Sequence, residues 1–214
     1  TTTLDDGTTK VTDVAVTVDP VSDAPGVSVD NASISTVEDT AVALGLNAPA
    51  VSDATDGNGA DAGDNPELHG PITLSGIPSG AQLLDGTDGN AVLWTSDGNP
   101  VTVVLSDGHH VDGAVGTLTL TTAQYEALLV NPPADSGDDF TVSVAVTEYE
   151  VTDAGVQIPG VAGATTTVDV EVDVQAMTDT VDLKINGADD SYTVTVNEDT
   201  SFNLKDYLGA SFED

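Results

Sequence analysis

The chain has 214 residues, with 37 Asp and Glu against three Lys and no Arg, a net charge of −34 and no cysteine. Phosphate binding needs clustered Lys and Arg, so nucleic acid is nearly excluded as a partner, anionic membrane surfaces are disfavoured and cations are favoured. Hydrophobic residues make up 39% of the chain and aromatics 4%, which allows a core but requires it to be built from Val, Leu, Ile and Ala.

There is no run of about 18 apolar residues to span a membrane as a helix. With no disulfide available, bound metal is the obvious staple for a secreted protein. No signal peptide is visible, and the expectation is a piece from within a longer protein. In chain order, Val14, Val16 and Val18 alternate with Ala15 and Thr17, which predicts the closing strand of a preceding domain. Asp19 to Pro25 is a junction stiffened by Pro20 and Pro25. Val27 to Val37 predicts a first strand, continued by Val42, Leu44 and Leu46 after Glu38-Asp39-Thr40. Asp53 to Asn65 is almost entirely Asp, Asn, Gly and Ala and suits neither strand nor helix.

Ile72, Leu74 and Ile77 resume β structure, Pro78-Ser79-Gly80 turns it, and Leu83-Leu84 leads to a turn over Asp85 to Asn90. Val92 to Trp94 and Val101 to Leu105 are strands, and Asp97-Gly98-Asn99 between them is a hairpin signal. Ser106 to Gly113 is a polar loop and Leu118 to Leu120 a short strand. Thr122 to Leu129 has helical spacing for about two turns, capped by Thr122 and ended by Pro132-Pro133. Phe140, Val142, Val144 and Val146 alternate. So do Val168, Val170, Val172 and Val174, with Asp169, Glu171 and Asp173 on the opposite face. One apolar and one acidic face is the pattern of an all-β antiparallel sandwich, here with one short helix, and the lack of crossover helices excludes parallel α/β. Val151 to Ala164 reads as a loop excursion or an extra hairpin.

Glu38-Asp39-Thr40, followed by Val42 and Leu44, recurs 160 residues later as Glu198-Asp199-Thr200, followed by Phe202 and Leu204. Val14, Val16, Val18, Val21 and Asp23 likewise match Val170, Val172, Val174, Met177 and Asp179 at an offset of 156. Such a period is the mark of a tandem array. It divides the chain into the tail of one module (1–23), a complete module (24–179) and the opening of a third (180–214).

Glu38-Asp39-Thr40, the stretch Ile72 to Ala81, Leu118 to Leu128 with Pro132-Pro133-Ala134-Asp135, and Asp138 to Val142 together resemble the tandem immunoglobulin/cadherin-like repeats of giant bacterial RTX adhesins. The resemblance covers roughly Val27 to Asp179 and returns at the C-terminal end; Trp94 to Val111 departs from it. It implies an Ig/cadherin-like β-sandwich, type I secretion to the bacterial cell surface and calcium held at the joints between modules. The function implied is a rigid extender in cell adhesion, partnered by neighbouring modules of its own chain and expected to be monomeric.

Calcium takes six to eight oxygens, and carboxylates and carbonyls of flexible loops supply them. The strand order expected here brings Asp23, Glu38, Asp39 and the loop acids Asp53, Asp56, Asp61 and Asp64 to one end of the module. Asp179, Glu198 and Asp199 repeat that set at the other end. Asp135, Asp138 and Asp139, and less securely Glu148, form a second acidic cluster. The competing explanation is that these are solvated acids serving solubility.

Neither an EF-hand nor an RTX nonapeptide is complete at Asp56 to Asp61. His109-His110 would face opposite ways in a strand, and with only His69 elsewhere they read as an exposed loop. No nucleophile elbow or phosphate loop can be named, so an enzyme is not expected. The alternative function is a calcium-dependent module near the adhesin tip that binds a sugar or peptide. Trp94, Asp97, Asn99, Asp107 and Asp112 would line its site, although Trp94 reads first as a core residue.

Overall fold

Alternating Val residues make two long strands, Phe140–Glu150 and Ala164–Gln175, and the rest of the molecule is hung on this pair. The structure is a computed structural model that describes residues 2–3, 5–16, 19–51, 65–178, 181–185, 193, 195–201, 203–206 and 208–212. In chain order the strands are β1 (Thr2–Thr3), β2 (Thr9–Lys10), β3 (Ser33–Val37), β4 (Val42–Ala43), β5 (Glu67–His69), β6 (Ile72–Ser75), β7 (Gln82–Asp85) and β8 (Ala91–Thr95). They continue as β9 (Val101–Leu105), β10 (Leu118–Leu120), helix α1 (Thr122–Glu126), β11 (Leu128–Asn131), β12 (Phe140–Glu150), β13 (Ala164–Gln175), β14 (Val181–Ile185) and β15 (Leu208–Phe212).

The module is an all-β sandwich of two sheets with one short helix. One sheet runs β10-β9-β6-β12-β13-β3, with β5 also paired to β12; the other runs β4-β11-β7-β8. Leu74, Val101, Val103, Val142, Val144, Val170 and Val172 from the first sheet pack against Leu44, Leu83, Leu128 and Val130 from the second. Tyr125 closes the core from α1, and burial pushes its phenol pKa well above the usual range. Aliphatic area removed from water is what holds the two layers together. No helix among the described residues is long and apolar enough to cross a membrane.

Most of the pairing is antiparallel, as the alternation predicts, but the two outermost pairs of the large sheet are parallel. Leu118 sits opposite Val103, and Ser33 opposite Glu171, with both strands of each pair running the same way. The long polar loop after β9 allows β10 to return in the same sense.

Asp97-Gly98-Asn99 is not a hairpin. β8 pairs with β7 and β9 with β6, so the segment crosses from one sheet to the other. Its turn chemistry is satisfied locally: the Asn99 N–H donates to Asp97 Oδ1 (3.0 Å), and Ser96 Oγ donates to the Ile77 carbonyl (2.9 Å). The dipeptide signal specified a turn without specifying which strands it joined.

The helix starts at Thr122 as its spacing predicts, but its cap is one residue earlier and it ends sooner, at Glu126. Thr121 is the cap, and its hydroxyl accepts from the Gln124 N–H while the Gln124 side chain accepts from the Thr121 N–H. From Leu128 the chain is strand, because Leu129 pairs with both Ala43 and Leu84. Tertiary pairing there overrides a weak helical preference.

Val27 to Val37 forms a strand only from Ser33. Val29 makes a single bridge to Leu46, and Gly26 one to Ala50. Within the excursion over Val151 to Ala164, Val151 makes a single antiparallel bridge to Gln157. The strand predicted over Val14 to Val18 is not formed at residues 14–16, where Val14 and Val16 are exposed and pair with nothing among the described residues.

Two predictions follow from this packing. Gly76 has φ +81, and a Cβ added there would lie 2.1 Å from the Thr141 carbonyl oxygen. Gly76→Ala should therefore lower unfolding stability by more than about 2 kcal/mol, from left-handed strain plus a forced backbone shift. Urea titration should show a lower midpoint at unchanged m.

Asp85 receives hydrogen bonds from Thr87 Oγ1 (2.6 Å), Thr87 N (2.8 Å) and Gln124 Nε2 (2.8 Å). The Thr87 hydroxyl first, and then Gln124, hold its carboxyl below the usual carboxylate range. A lowered folded pKa adds stability above the ordinary value that is lost as pH falls through the folded one. Asp85→Asn should accordingly be less stable than the parent at pH 7, with the gap closing below about pH 4. Paired urea titrations against pH would show a constant gap if the carboxylate is irrelevant.

Candidate metal centre

The first acidic group forms where β3 ends. Thr40 N donates to the Val37 carbonyl (3.2 Å) and Thr36 Oγ1 to the Thr40 carbonyl (2.7 Å), closing a turn that holds Asp39 at φ 59. Asp tolerates this left-handed conformation better than most residues. Asp39 Oδ1 accepts from the Asp135 N–H (3.2 Å), and Asp135 is itself left-handed at φ 56. Glu38 is buried and accepts from the Met177 N–H, while its own N–H donates to the Gln175 carbonyl (3.1 Å). Asp139 Oδ1 accepts from the Val174 N–H (2.8 Å). The Glu38–Thr40 turn, the 132–139 loop and the chain leaving β13 are thus tied together at what we call the downstream pole. Asp138 lies in the same loop, its N–H on Ser136 Oγ (3.4 Å).

The turn recurs. Asp199 has φ 60, and Thr200 N donates to the Asn197 carbonyl (3.3 Å). Glu198 and Asp199 are described; Asp179 lies outside the described residues.

The second group lies at the opposite, upstream pole. The Asp23 N–H donates to Glu67 Oε1, and the Glu150 N–H to Ser22 Oγ (3.1 Å). Cross-strand register sets Glu67 opposite Glu150 and His69 opposite Glu148. Glu67, Glu148 and Glu150 are 2%, 0% and 7% exposed. They are buried because β12 keeps its inward phase: Val142, Val144 and Val146 face the core, and Glu148 and Glu150 continue that face. Residues 24–179 contain 24 Asp and Glu and not one Lys or Arg.

The expected grouping is therefore corrected. Asp23 does not meet Glu38 and Asp39, because β3 runs parallel to β13 and delivers Glu38 to Gln175, at the far end from Glu67 and Glu150. Glu38 and Asp39 instead join Asp135 and Asp139. Asp53, Asp56, Asp61 and Asp64 lie outside the described residues. The alternation of β12, carried two steps further, was the signal for Glu148 and Glu150. Only Glu148 was picked out from sequence; Glu67 and Glu150 were missed.

The residues of the alternative binding site are divided by β9. Trp94 is half-buried against the core, opposite Leu83. Asp97 and Asn99 precede β9, and hydrogen bonds from the backbone and then the side chain of Asn99 lower the Asp97 pKa. Asp107 and Asp112 follow β9. Five residues at about 3.3 Å each put the two halves roughly 15 Å apart. The Asp112 N–H donates to the Gly155 carbonyl (2.7 Å).

The side-chain donors at both poles are carboxylate oxygens, the ligand type a calcium-class cation takes. Among the described residues, no three His, Asp or Glu side chains already stand together as a coordination shell. The chain matches no family model, no curated protein and no solved structure.

Proposed function

We propose that the chain is part of a calcium-rigidified extender of a bacterial cell-surface adhesin, an extracellular protein of tandem Ig/cadherin-like modules. The observation that carries this is the downstream pole: Glu38, Asp39 and Asp139 are all fastened to the loop or chain through which the module continues. The recurrence of the same left-handed turn at Asp199 supports a repeated joint. Bound calcium would offset the repulsion between carboxylates of adjoining modules and stiffen the chain. Without it, the joint flexes. The role is mechanical rather than enzymatic, and the partners are the neighbouring modules. The sugar- or peptide-binding alternative has less support, since its residues are divided between the two ends of β9.

Extracellular calcium sites commonly have dissociation constants of roughly 10⁻⁴ to 10⁻³ M. At tenfold excess each adds about 1.4 kcal/mol, or about 3–6 °C in melting temperature for a domain of this size. Thermal melts and small-angle scattering in chelator and then in millimolar calcium should show a higher melting temperature and a longer, stiffer particle. Asp39→Asn should weaken both effects. If calcium changes neither quantity, the acids serve solubility alone.

A further inference from the structure

The three histidines of the chain gather at one place, which their sequence positions do not suggest. His69 on β5 forms a parallel bridge with His110, the His69 N–H donates to the His109 carbonyl (3.1 Å), and the Val111 N–H donates to the His69 carbonyl (3.0 Å). The polar loop after β9 is thereby stitched along β5. The loop's Asp107 then faces two imidazoles: its Oδ2 lies 3.9 Å from His69 Nε2 and 3.9 Å from His109 Nδ1.

The buried ring of His69 faces this acid with an unpartnered nitrogen. Its Nδ1 sits 3.2 Å from the Gly70 carbonyl, which can only accept, so the proton of the neutral ring is on Nδ1 and Nε2 carries a bare lone pair. His69 is 1% exposed, and Nε2 has no hydrogen-bond partner. Burial lowers its pKa and so favours the neutral ring. A bare lone pair and a carboxylate oxygen, both electron-rich, then face each other across 3.9 Å. Asp107 is held in this orientation by its other oxygen, because Oδ1 accepts from the His109 N–H (2.9 Å). A second buried lone-pair site, His110 Nδ1, also lacks a hydrogen-bond partner.

We infer that His69 Nε2, Asp107 Oδ2 and His109 Nδ1 bind a zinc-class divalent cation. Two imidazoles and one carboxylate suit a borderline metal, whereas calcium prefers oxygen alone. An imidazole whose other N–H is pinned to a backbone carbonyl is the usual arrangement of a metal-bound histidine. Ligand atoms of tetrahedral zinc, at about 2.0–2.1 Å from the metal, stand roughly 3.3 Å apart. Each 3.9 Å gap must therefore close by about half an ångström, within reach of side chains on an exposed loop. The His109 side chain is 56% exposed, leaving the fourth position to water. The site is chemically distinct from the carboxylate poles and does not depend on the calcium proposal. Its effect would be to clamp the 106–113 loop onto β5.

The test is a Co2+ and Zn2+ titration of the chelator-stripped chain in excess calcium, so that oxygen-only sites are already filled. One equivalent of Co2+ should give the visible bands of a tetrahedral nitrogen–oxygen site, and one equivalent of Zn2+ should abolish them. His69→Gln and His109→Gln should each weaken binding more than about 100-fold, and Asp107→Asn at least about 10-fold. Far-UV circular dichroism should be unchanged for the two loop variants. Absence of stoichiometric binding overturns the inference. So does binding that survives His69→Gln, which would mean adventitious capture by exposed His109. If His69→Gln does not fold, the loop variants decide: retained binding in both overturns the site.

Discussion

Residues 24–179 hold 24 Asp and Glu and no Lys or Arg, and this governs how the acids are placed. The described structure uses backbone N–H groups where another protein would use basic side chains. Met177 donates to Glu38, Asp135 to Asp39, Val174 to Asp139, Asp23 to Glu67, Thr87 to Asp85 and His109 to Asp107. A neutral donor satisfies a lone pair and stabilises a carboxylate, but it leaves the net charge in place. That charge must then be spread into water or met by cations. Acids on the faces of the sheets take the first course. Those at the poles are drawn onto backbone N–H groups.

The large sheet shows the first course. Asp169, Glu171 and Asp173 alternate outward along β13 while Val170, Val172 and Val174 fill the core. Their cross-strand neighbours are hydroxyl residues: Ser143 lies opposite Asp169 and donates to it, Thr141 opposite Glu171 and Ser35 opposite Asp173. A negative face bordered by the short edge strand β3 also discourages edge-to-edge pairing with other sheets. The same period-2 alternation therefore supplies the core on one side and protection from association on the other.

Alternation is also what made the fold legible from sequence, and it marks where legibility stopped. It identifies the face of a strand but not its neighbours. Val142, Val144 and Val146 were recognisable as core. Glu148 and Glu150, in the same phase, were not, because residue type argued against burial more loudly than position argued for it. Asp97-Gly98-Asn99 announces a turn in either a hairpin or a crossover, and only the pairing of β8 with β7 decides between them. Leu128 and Val130 fit a helical stripe as well as a strand until β4 and β7 are known to flank them. The grouping of acids by pole failed for the same reason. Asp23 and Glu38 are 15 residues apart, yet a single parallel strand carries them to opposite ends. His69 and His109, 40 apart, meet because β5 and the loop after β9 share an edge.

The residue choice in the repeated turn follows from two demands at once. At φ 59 and φ 60, Asp39 and Asp199 occupy a conformation that glycine adopts most readily. Glycine would relieve the strain, but it would remove the carboxylate that accepts from Asp135 at the first turn. Asn would keep the conformation and the acceptor but lose the charge. Asp alone supplies backbone tolerance, a hydrogen-bond acceptor and a negative charge, at the cost of adding to an already repulsive surface. A turn serving only geometry would have no reason to accept that cost twice. The negative charge at this position is therefore what sets both copies of the turn apart from a glycine turn.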